Sequence, residues 1–402
     1  MSLSTRETAE PVGAPPLRGR LVHVCTVALS LDFLRGQARY VAAHGLDVHV
    51  VASPDGDALA RFAQAEGVAT HSVPMTRAIT PVADARSLLH LRRLMVSLSP
   101  DIVHAGTPKG GLLGILAAFT TRVPVRIYHM HGIRGMTAHG WRRRLLMTTE
   151  WLACSLATRV LCVSASTRET AVAAGLCPAD KIVVLGAGSC NGVDARGRFN
   201  PDLIEVRQRA DLRRELNLPP AAAVIGFVGR VVRDKGICEL AAAWARLAAD
   251  FPDLHLVVVG PHEKEDPLPA EVLEMLDRHP RVRFVASVEN PAPYYALMDV
   301  VILPSHREGL PNVPLEAAAM RLPVVATRVP GCVDAIVDGV TGTLVDPYVV
   351  EPLADAVSAY LRSPELRRQH GEAAQARVLR DFVPETVWDG VLELYRACLA
   401  AR

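Results

Sequence analysis

Short apolar runs alternate with helical periodicity through the first half of the chain. The runs at residues 20–25, 47–53, 101–106, 124–132, 159–164 and 181–186 are predicted to be strands. Segments with one apolar face at residues 33–45, 57–67, 84–98 and 110–121 are predicted to be helices. This alternation predicts a parallel sheet with helices on both faces.

A second alternation of the same kind occupies the C-terminal half. Strands are predicted at residues 223–229, 254–260, 282–287, 299–305, 323–327 and 341–346, and helices at 236–251 and from Asn312 onward. The alternation is absent between the two halves, where residues Asn191 to Pro220 are mostly polar or turn-forming. The fold prediction is therefore α/β, with two Rossmann-like domains that face each other across a cleft and both contribute to one site.

The predicted boundaries follow from these patterns. They are a disordered N-terminal leader at residues 1–20, a first, acceptor-side domain at 21–195 and a linker at 196–220. A second domain follows at 221–383, then a final helix at 384–402. A return of that helix to the first domain is a hypothesis.

Length and composition narrow the class of protein. A chain of 402 residues suggests two domains, and 50% hydrophobic with 21% charged residues is a globular composition. A net charge of +2 gives no indication of nucleic-acid binding. Eight cysteines without a C-x-x-C pair indicate reduced thiols in a cytoplasmic protein. No apolar run reaches the roughly twenty residues that span a bilayer.

Two glutamates eight positions apart, Glu308 and Glu316, flank a predicted helix start. Glu308 follows the strand at 299–305, and the helix begins near Asn312 with Pro314 in its first turn. Free N–H groups at such a start can bind phosphate. Acidic residues on both sides of a phosphate-binding helix start indicate a ligand that has both several hydroxyl groups and a diphosphate. A nucleotide sugar is such a ligand. In the alternative, Glu308 is a solvated loop acid and Glu316 a surface helix residue.

Two cations occupy the loop GRVVRDKG after the first strand of the second domain. Gly229 ends that strand, Arg230 follows at once, and Lys235 comes five residues later. Arg230 and Lys235 together can neutralise a diphosphate, Arg through forked hydrogen bonds and Lys as a point charge. The alternative is a solvated basic turn.

His131 lies at the end of the predicted strand 124–132, where parallel sheets bind ligands. It is predicted to donate to a sugar hydroxyl or a phosphate. A metal site from His129, His131 and His139 is the alternative, but it is not favoured. Alternate strand residues are expected to point to opposite faces and no carboxylate lies nearby, so no metal is predicted.

Thr107 and Lys109 precede a Gly-rich helix start and are predicted to contact an anion or the acceptor. In the alternative, Gly110 and Gly111 merely allow close packing of helix on sheet.

The segment around residues 139–158 combines a basic cluster with aromatic side chains. Trp141, Arg142, Arg143 and Arg144 are consecutive, and Trp151 follows on the same predicted helix. This composition suits the surface of an anionic membrane. An amphipathic helix packed on the first domain is the alternative.

The sequences GRVVRDKG and EGLPNVPLEAAAMRLPVVAT together resemble the donor-binding half of glycosyltransferase family 4, retaining enzymes of the GT-B fold. TPKGGLLGILAA, RIYHMHG and LGAGSCNGVDARGRF resemble the branch that builds capsular polysaccharide and O-antigen. The resemblance covers residues 21–399. In place of the Gly-Gly loop that many members have after the first strand, this chain has ALSLDF.

The resemblance implies a role for each matching residue. Arg230 and Lys235 would bind the donor diphosphate, Glu308 the transferred sugar, Glu316 the ribose, and His131 the sugar or phosphate. These residues line the implied donor site together with Gly229, Gly309, Leu310, Pro311, Asn312 and Val313.

The predicted activity is retaining, metal-independent transfer of a hexose-type sugar from a UDP- or GDP-linked donor. The acceptor would be a glycan or a polyprenyl-diphosphate-linked sugar, and no cofactor is expected. The protein would be cytoplasmic, with peripheral contact to the inner face of the plasma membrane. The alternatives are a nucleotide-sugar epimerase of the same fold, a non-catalytic binding protein, and an oxidoreductase. VLGAGSCNG lacks the glycine spacing of a dinucleotide fingerprint.

Overall fold

The structure is a computed structural model that describes residues 17–263 and 266–401. Most of the predicted leader at residues 1–20 therefore lies outside the described residues.

The first sheet and its helices are built from the N-terminal half of the chain. Its strands are β1 Gly19–Val24, β2 Leu46–Ala52, β3 Ala69–Ser72, β4 Ile102–Gly106, β5 Val125–Met130, β6 Arg159–Cys162 and β7 Ile182–Val184. Its helices are α1 Gln37–Ala43, α2 Ala58–Glu66, α3 Pro81–Leu98, α4 Pro108–Thr120, α5 Gly140–Leu156 and α6 Ala165–Ala173. The strand order is β3-β2-β1-β4-β5-β6-β7.

The second sheet has strands β8 Val224–Val228, β9 His255–Val259, β10 Val282–Val285, β11 Val300–Leu303, β12 Val324–Thr327 and β13 Gly342–Val345. Helices α7 Val206–Glu215, α8 Ile237–Asp250, α9 Ala270–Arg278, α10 Ala292–Tyr295, α11 Asn312–Ala319 and α12 Cys332–Ala335 accompany it. Helices α13 Val350–Arg362, α14 Pro364–Asp381 and α15 Pro384–Ala400 complete the chain. The strands pair in parallel in the order β10-β9-β8-β11-β12-β13.

In each sheet the strand order reverses at one point, which lies between β1 and β4 in the first sheet and between β8 and β11 in the second. In open α/β sheets, ligands bind beyond the carboxyl ends of the strands at this switch point. The loop after β8 carries the predicted cations and the loop after β11 carries Glu308, so the topology makes these two loops neighbours.

By their internal contacts the described residues form two compact units. One ends at Ile127 and includes the chain from Leu392 onward; the other is Tyr128–Val391. Within the first unit, Tyr395 of α15 is hydrogen-bonded to His104 of β4 at 2.6 Å. The predicted boundaries at residues 195, 220 and 383 stay predictions.

Several predicted elements need correction. The helix predicted from Phe33 begins only at Gln37, because a 3₁₀ segment Ala28–Leu34 and Gly36 at φ 76° precede it. The predicted linker contains helix α7, whose charged surface hid the helical pattern. Asn312 is the first residue of α11 and not its cap, since Pro311 precedes the helix without a side-chain cap.

Among the described residues, no helix combines the length and the apolar character needed to cross a bilayer.

Candidate functional site

Lys235 and Glu308 form an ion pair at the switch point of the second sheet. Lys235 follows β8 and Glu308 follows β11, and Nζ lies 2.5 Å from Oε1. Both side chains are largely enclosed, with relative exposures of 19% and 10%. Enclosure weakens solvent screening, so these charges act strongly on each other and on any ligand that reaches them.

Arg230 leaves the same β8 loop but turns to a different partner. Its guanidinium lies 2.7 Å from Oε2 of Glu263, in the loop after β9. The Arg230 side chain is 41% exposed. A cation this accessible can exchange its carboxylate partner for an incoming anion.

Gly309, which follows Glu308, packs against the end of β5 without space for a side chain. A Cβ added there would lie 2.0 Å from the carbonyl oxygen of His131. The carbonyl of Gly309 accepts hydrogen bonds from the hydroxyls of Ser164 (2.7 Å) and Thr167 (3.0 Å). The loop with Glu308 is thereby fixed beside His131.

His131 is neutral at physiological pH, because burial lowers its pKa to about 4. A neutral imidazole both donates and accepts one hydrogen bond. It can therefore contact a sugar hydroxyl.

The rings of His129 and His131 stack with their centroids 4.2 Å apart. The two side chains do not point to opposite faces, as was predicted, because successive residues of a strand alternate and residues two apart share a face. One ring nitrogen of each histidine and Sγ of Cys190 lie within 4.8 Å of one another, whereas His139 is outside this group. That no metal takes part in the reaction stays a prediction.

Glu316 lies within α11 and is bound by a tyrosine that the sequence did not single out. The hydroxyl of Tyr295 donates to Oε2 of Glu316 at 2.8 Å. Burial raises the pKa of Glu316, while this hydrogen bond and the charge of Arg198 oppose the rise. The Tyr295 hydroxyl thus holds the carboxylate of Glu316 in place.

The start of α11 offers backbone donors between the two glutamates. The first N–H groups of a helix have no partner within the helix, and Pro314 removes one of them. Those of Asn312 and Val313 remain. Leu310 and Pro311 are buried and fix the approach to the helix.

Thr107 and Lys109 belong to the first unit, where both have structural contacts. Nζ of Lys109 lies 2.6 Å from Oδ1 of Asp84 and 3.2 Å from Oγ1 of Thr80. Oγ1 of Thr107 is 2.6 Å from that of Thr26. Since these contacts account for both residues, the acceptor-side role stays a prediction.

Helix α5 presents an exposed basic and aromatic surface. Trp141 and Trp151 are 70% and 51% exposed, and Arg142, Arg143 and Arg144 are exposed as well.

Similarity to known proteins shows the family of this chain. The family model described as "Glycosyl transferases group 1" matches residues 222–363, and "Glycosyl transferase 4-like domain" matches residues 32–188. The capsular polysaccharide biosynthesis glycosyltransferase CapM of Staphylococcus aureus is 33% identical over 94% of this chain and 97% of its own length. The chain belongs to the group 1 glycosyltransferases.

Solved structures show the fold of this glycosyltransferase. Anabaena HepE, crystallised with UDP-glucose, superposes with a TM-score of 0.79 at 20% identity and covers 94% of this chain and 100% of its own. WaaG, a glycosyltransferase involved in lipopolysaccharide biosynthesis, superposes with a TM-score of 0.68 at 18% identity and covers 92% and 98%. The predicted family and the α/β fold of the GT-B type are confirmed.

The residues that form hydrogen bonds to the predicted site residues were not predicted from the sequence. Ser164, Thr167, Glu263 and Tyr295 carry no motif, and each acts on a residue at least 21 positions away. No local pattern could have identified them.

Proposed function

We propose that this glycosyltransferase moves a hexose-type sugar from a UDP- or GDP-linked donor to a glycan or lipid-linked glycan with retention of configuration. The observation that carries the proposal is the enclosed Lys235–Glu308 pair, which lies beside the α11 start and His131. It combines a cation for a phosphate with a carboxylate for hydroxyl groups in one place.

The relatives support the donor class and the setting. CapM is described as a capsular polysaccharide enzyme, and HepE was crystallised with UDP-glucose. We propose that this chain acts in surface polysaccharide synthesis and that it does so in the cytoplasm.

The diphosphate would bind Arg230, Lys235 and the free N–H groups of α11. Negative charge grows on the diphosphate as the sugar–phosphate bond breaks, and fixed positive groups stabilise that charge. These groups supply the charge that a metal ion supplies elsewhere, so we propose metal-independent transfer.

The sugar would lie between Glu308 and His131, and the ribose against Glu316. Glu308 binds a sugar hydroxyl in this proposal and does not attack the sugar, because its carboxylate is engaged by Lys235. The acceptor oxygen forms a bond to the anomeric carbon on the face that the leaving group vacates. The acceptor proton passes to a phosphate oxygen as the sugar–phosphate bond breaks.

The test is release of UDP or GDP over a panel of nucleotide sugars by Arg230→Ala and Lys235→Ala. Loss of one such donor typically costs about 10²–10³ in rate. Arg233→Ala is the matched control, since Arg233 is an exposed cation of the same loop. Near wild-type turnover by folded Lys235→Ala protein would contradict the proposed site.

We also propose that α5 binds an anionic membrane through its exposed aromatic and basic side chains. Each arginine near such a surface contributes roughly 1 kcal/mol. Flotation with vesicles of phosphatidylglycerol should be lost when Arg142, Arg143 and Arg144 become glutamine. Flotation should persist in the control, in which the exposed residues Arg207, Arg209 and Arg214 of α7 are changed to glutamine instead. Equal flotation of both variants refutes the role of α5.

A further inference from the structure

Three metal-ligating side chains converge at the carboxyl end of the first sheet. His129 and His131 come from the end of β5, and Cys190 from the loop after β7. One ligand atom of each lies within 4.8 Å of the other two. His129 and Cys190 are buried, with relative exposures of 6% and 7%, and His131 is partly exposed.

The ligand set selects a particular class of cation. Zn²⁺ binds imidazole nitrogen at about 2.0–2.1 Å and thiolate sulfur at about 2.3 Å, usually in tetrahedral geometry. That geometry places the ligand atoms roughly 3.3–3.6 Å apart. The three ligand atoms would reach these distances if they moved slightly closer together and one of the two stacked rings rotated. Mg²⁺ and Ca²⁺ require oxygen ligands and do not suit this site.

Backbone contacts determine where Cys190 lies. The N–H of Ser189 donates to the carbonyl of Val163 at 2.8 Å, and the N–H of Gly192 donates to Oγ of Ser189 at 2.8 Å. Gly188 lies so close to β6 that an added Cβ would be 2.3 Å from the Val163 carbonyl oxygen. Cys190 is therefore held in place before any cation binds.

We infer that His129, His131 and Cys190 form a binding site for a thiophilic divalent cation of the Zn²⁺ class, and that its occupation inhibits transfer. Binding replaces the S–H bond of Cys190 with a sulfur–metal bond and releases that proton to solvent. Three protein ligands leave the fourth position to water. Inhibition follows because His131 can no longer contact the sugar, and this consequence, unlike the binding itself, rests on the proposed function.

Co²⁺ is the probe for binding, since a thiolate ligand gives cobalt a sulfur-to-metal charge-transfer band in the near ultraviolet. The full-length protein is treated with a chelator, exchanged and titrated with Co²⁺. Wild type and the control Cys398→Ser should show the band, and Cys190→Ser should not. Absence of the band in wild type, or its survival in Cys190→Ser, would overturn the site.

Competition between protein and a chromogenic chelator measures the Zn²⁺ affinity. Cys190→Ser should lose at least about 100-fold, the upper end of what loss of an outer-shell partner costs. His129→Ala provides a second variant in which a different ligand is removed. Equal affinities of wild type and both variants refute the ligand assignment.

Inhibition is tested separately, by UDP or GDP release with and without Zn²⁺. Zn²⁺ should inhibit wild type and Cys398→Ser far more than Cys190→Ser. Zn²⁺ that binds without slowing wild-type turnover refutes the inhibition. Failure of the proposed transfer reaction would leave the cobalt and affinity results standing.

Discussion

Gly309→Ala tests the geometry of the site through a single methyl group. The added Cβ would lie 2.0 Å from the carbonyl oxygen of His131, 2.6 Å from its carbonyl carbon and 3.1 Å from the nitrogen of Gly132. All three atoms are backbone, so no side chain can rotate away to make space. The 308–312 loop and the end of β5 must separate by about 1 Å or more to restore ordinary contact.

Two magnitudes follow from that separation. Overpacking of this kind costs typically 1–3 kcal/mol of stability. A 1 Å misplacement of groups that position a substrate can cost about 10²-fold in rate. Since Glu308 adjoins Gly309 and His131 is the residue displaced, we expect kcat/KM for the donor to fall by about 100-fold in protein that is still folded.

The assay is nucleoside diphosphate release, normalised to the folded fraction from circular dichroism. Gly371→Ala in α14 is the matched control, because its Cβ would also meet a backbone carbonyl, 2.1 Å from the oxygen of Arg321. That variant should lose stability but retain wild-type turnover per folded molecule. Equal turnover of folded Gly309→Ala and Gly371→Ala would refute the reasoning.

Two further predictions concern buried carboxylates. Tyr295→Phe removes the hydrogen-bond donor to Glu316 and so raises the already elevated pKa of Glu316. In calorimetry at pH 7 this variant should bind UDP or GDP roughly tenfold more weakly than wild type, with partial recovery at higher pH. The neighbouring Tyr294→Phe is the control and should bind the nucleotide as wild type does. Burial raises the pKa of Glu150 from 4.5 to about 7. The contribution of Glu150 to stability is therefore fully present below pH 4.5 and is lost as pH rises through 7. The side-chain oxygen of Gln in Glu150→Gln can still accept the hydrogen bond from the Tyr128 hydroxyl. This variant should therefore be more stable than wild type by up to roughly 3 kcal/mol at pH 8, and by little at pH 4.5. An equal difference in melting temperature between variant and wild type at pH 8 and pH 4.5 would contradict this.

The sequence predicted the two sheets because buried parallel strands are short continuous apolar runs. Val300–Leu303 and Val224–Val228 are such runs, and each is wholly buried. Helices with a mostly charged surface were harder to detect. Helix α7 has no buried residue among Val206–Glu215, so no apolar stripe indicated it.

The candidate site was predicted as a set of residues but not as a set of contacts. Lys235, Glu308 and Glu316 could be identified because each lies at a fixed offset from a strand end or helix start. The partners of Arg230 and Glu316 could not be identified in this way, since Glu263 and Tyr295 reach them through packing of elements far apart in sequence. Stacking of His129 on His131 followed from strand geometry and was missed through a wrong premise about alternate residues.

The two cations of the β8 loop are not equivalent, although the sequence treats them alike. Arg230 is 41% exposed and pairs with Glu263, which has no part in the proposed sugar site. Lys235 is enclosed with Glu308, and removal of one leaves an uncompensated charge in a poorly screened place. A Lys235→Ala protein thus loses a cation for the diphosphate and also disturbs the carboxylate proposed to hold the sugar. For this reason Lys235→Ala should reduce transfer more than Arg230→Ala, and sugar and diphosphate recognition are coupled through one ion pair.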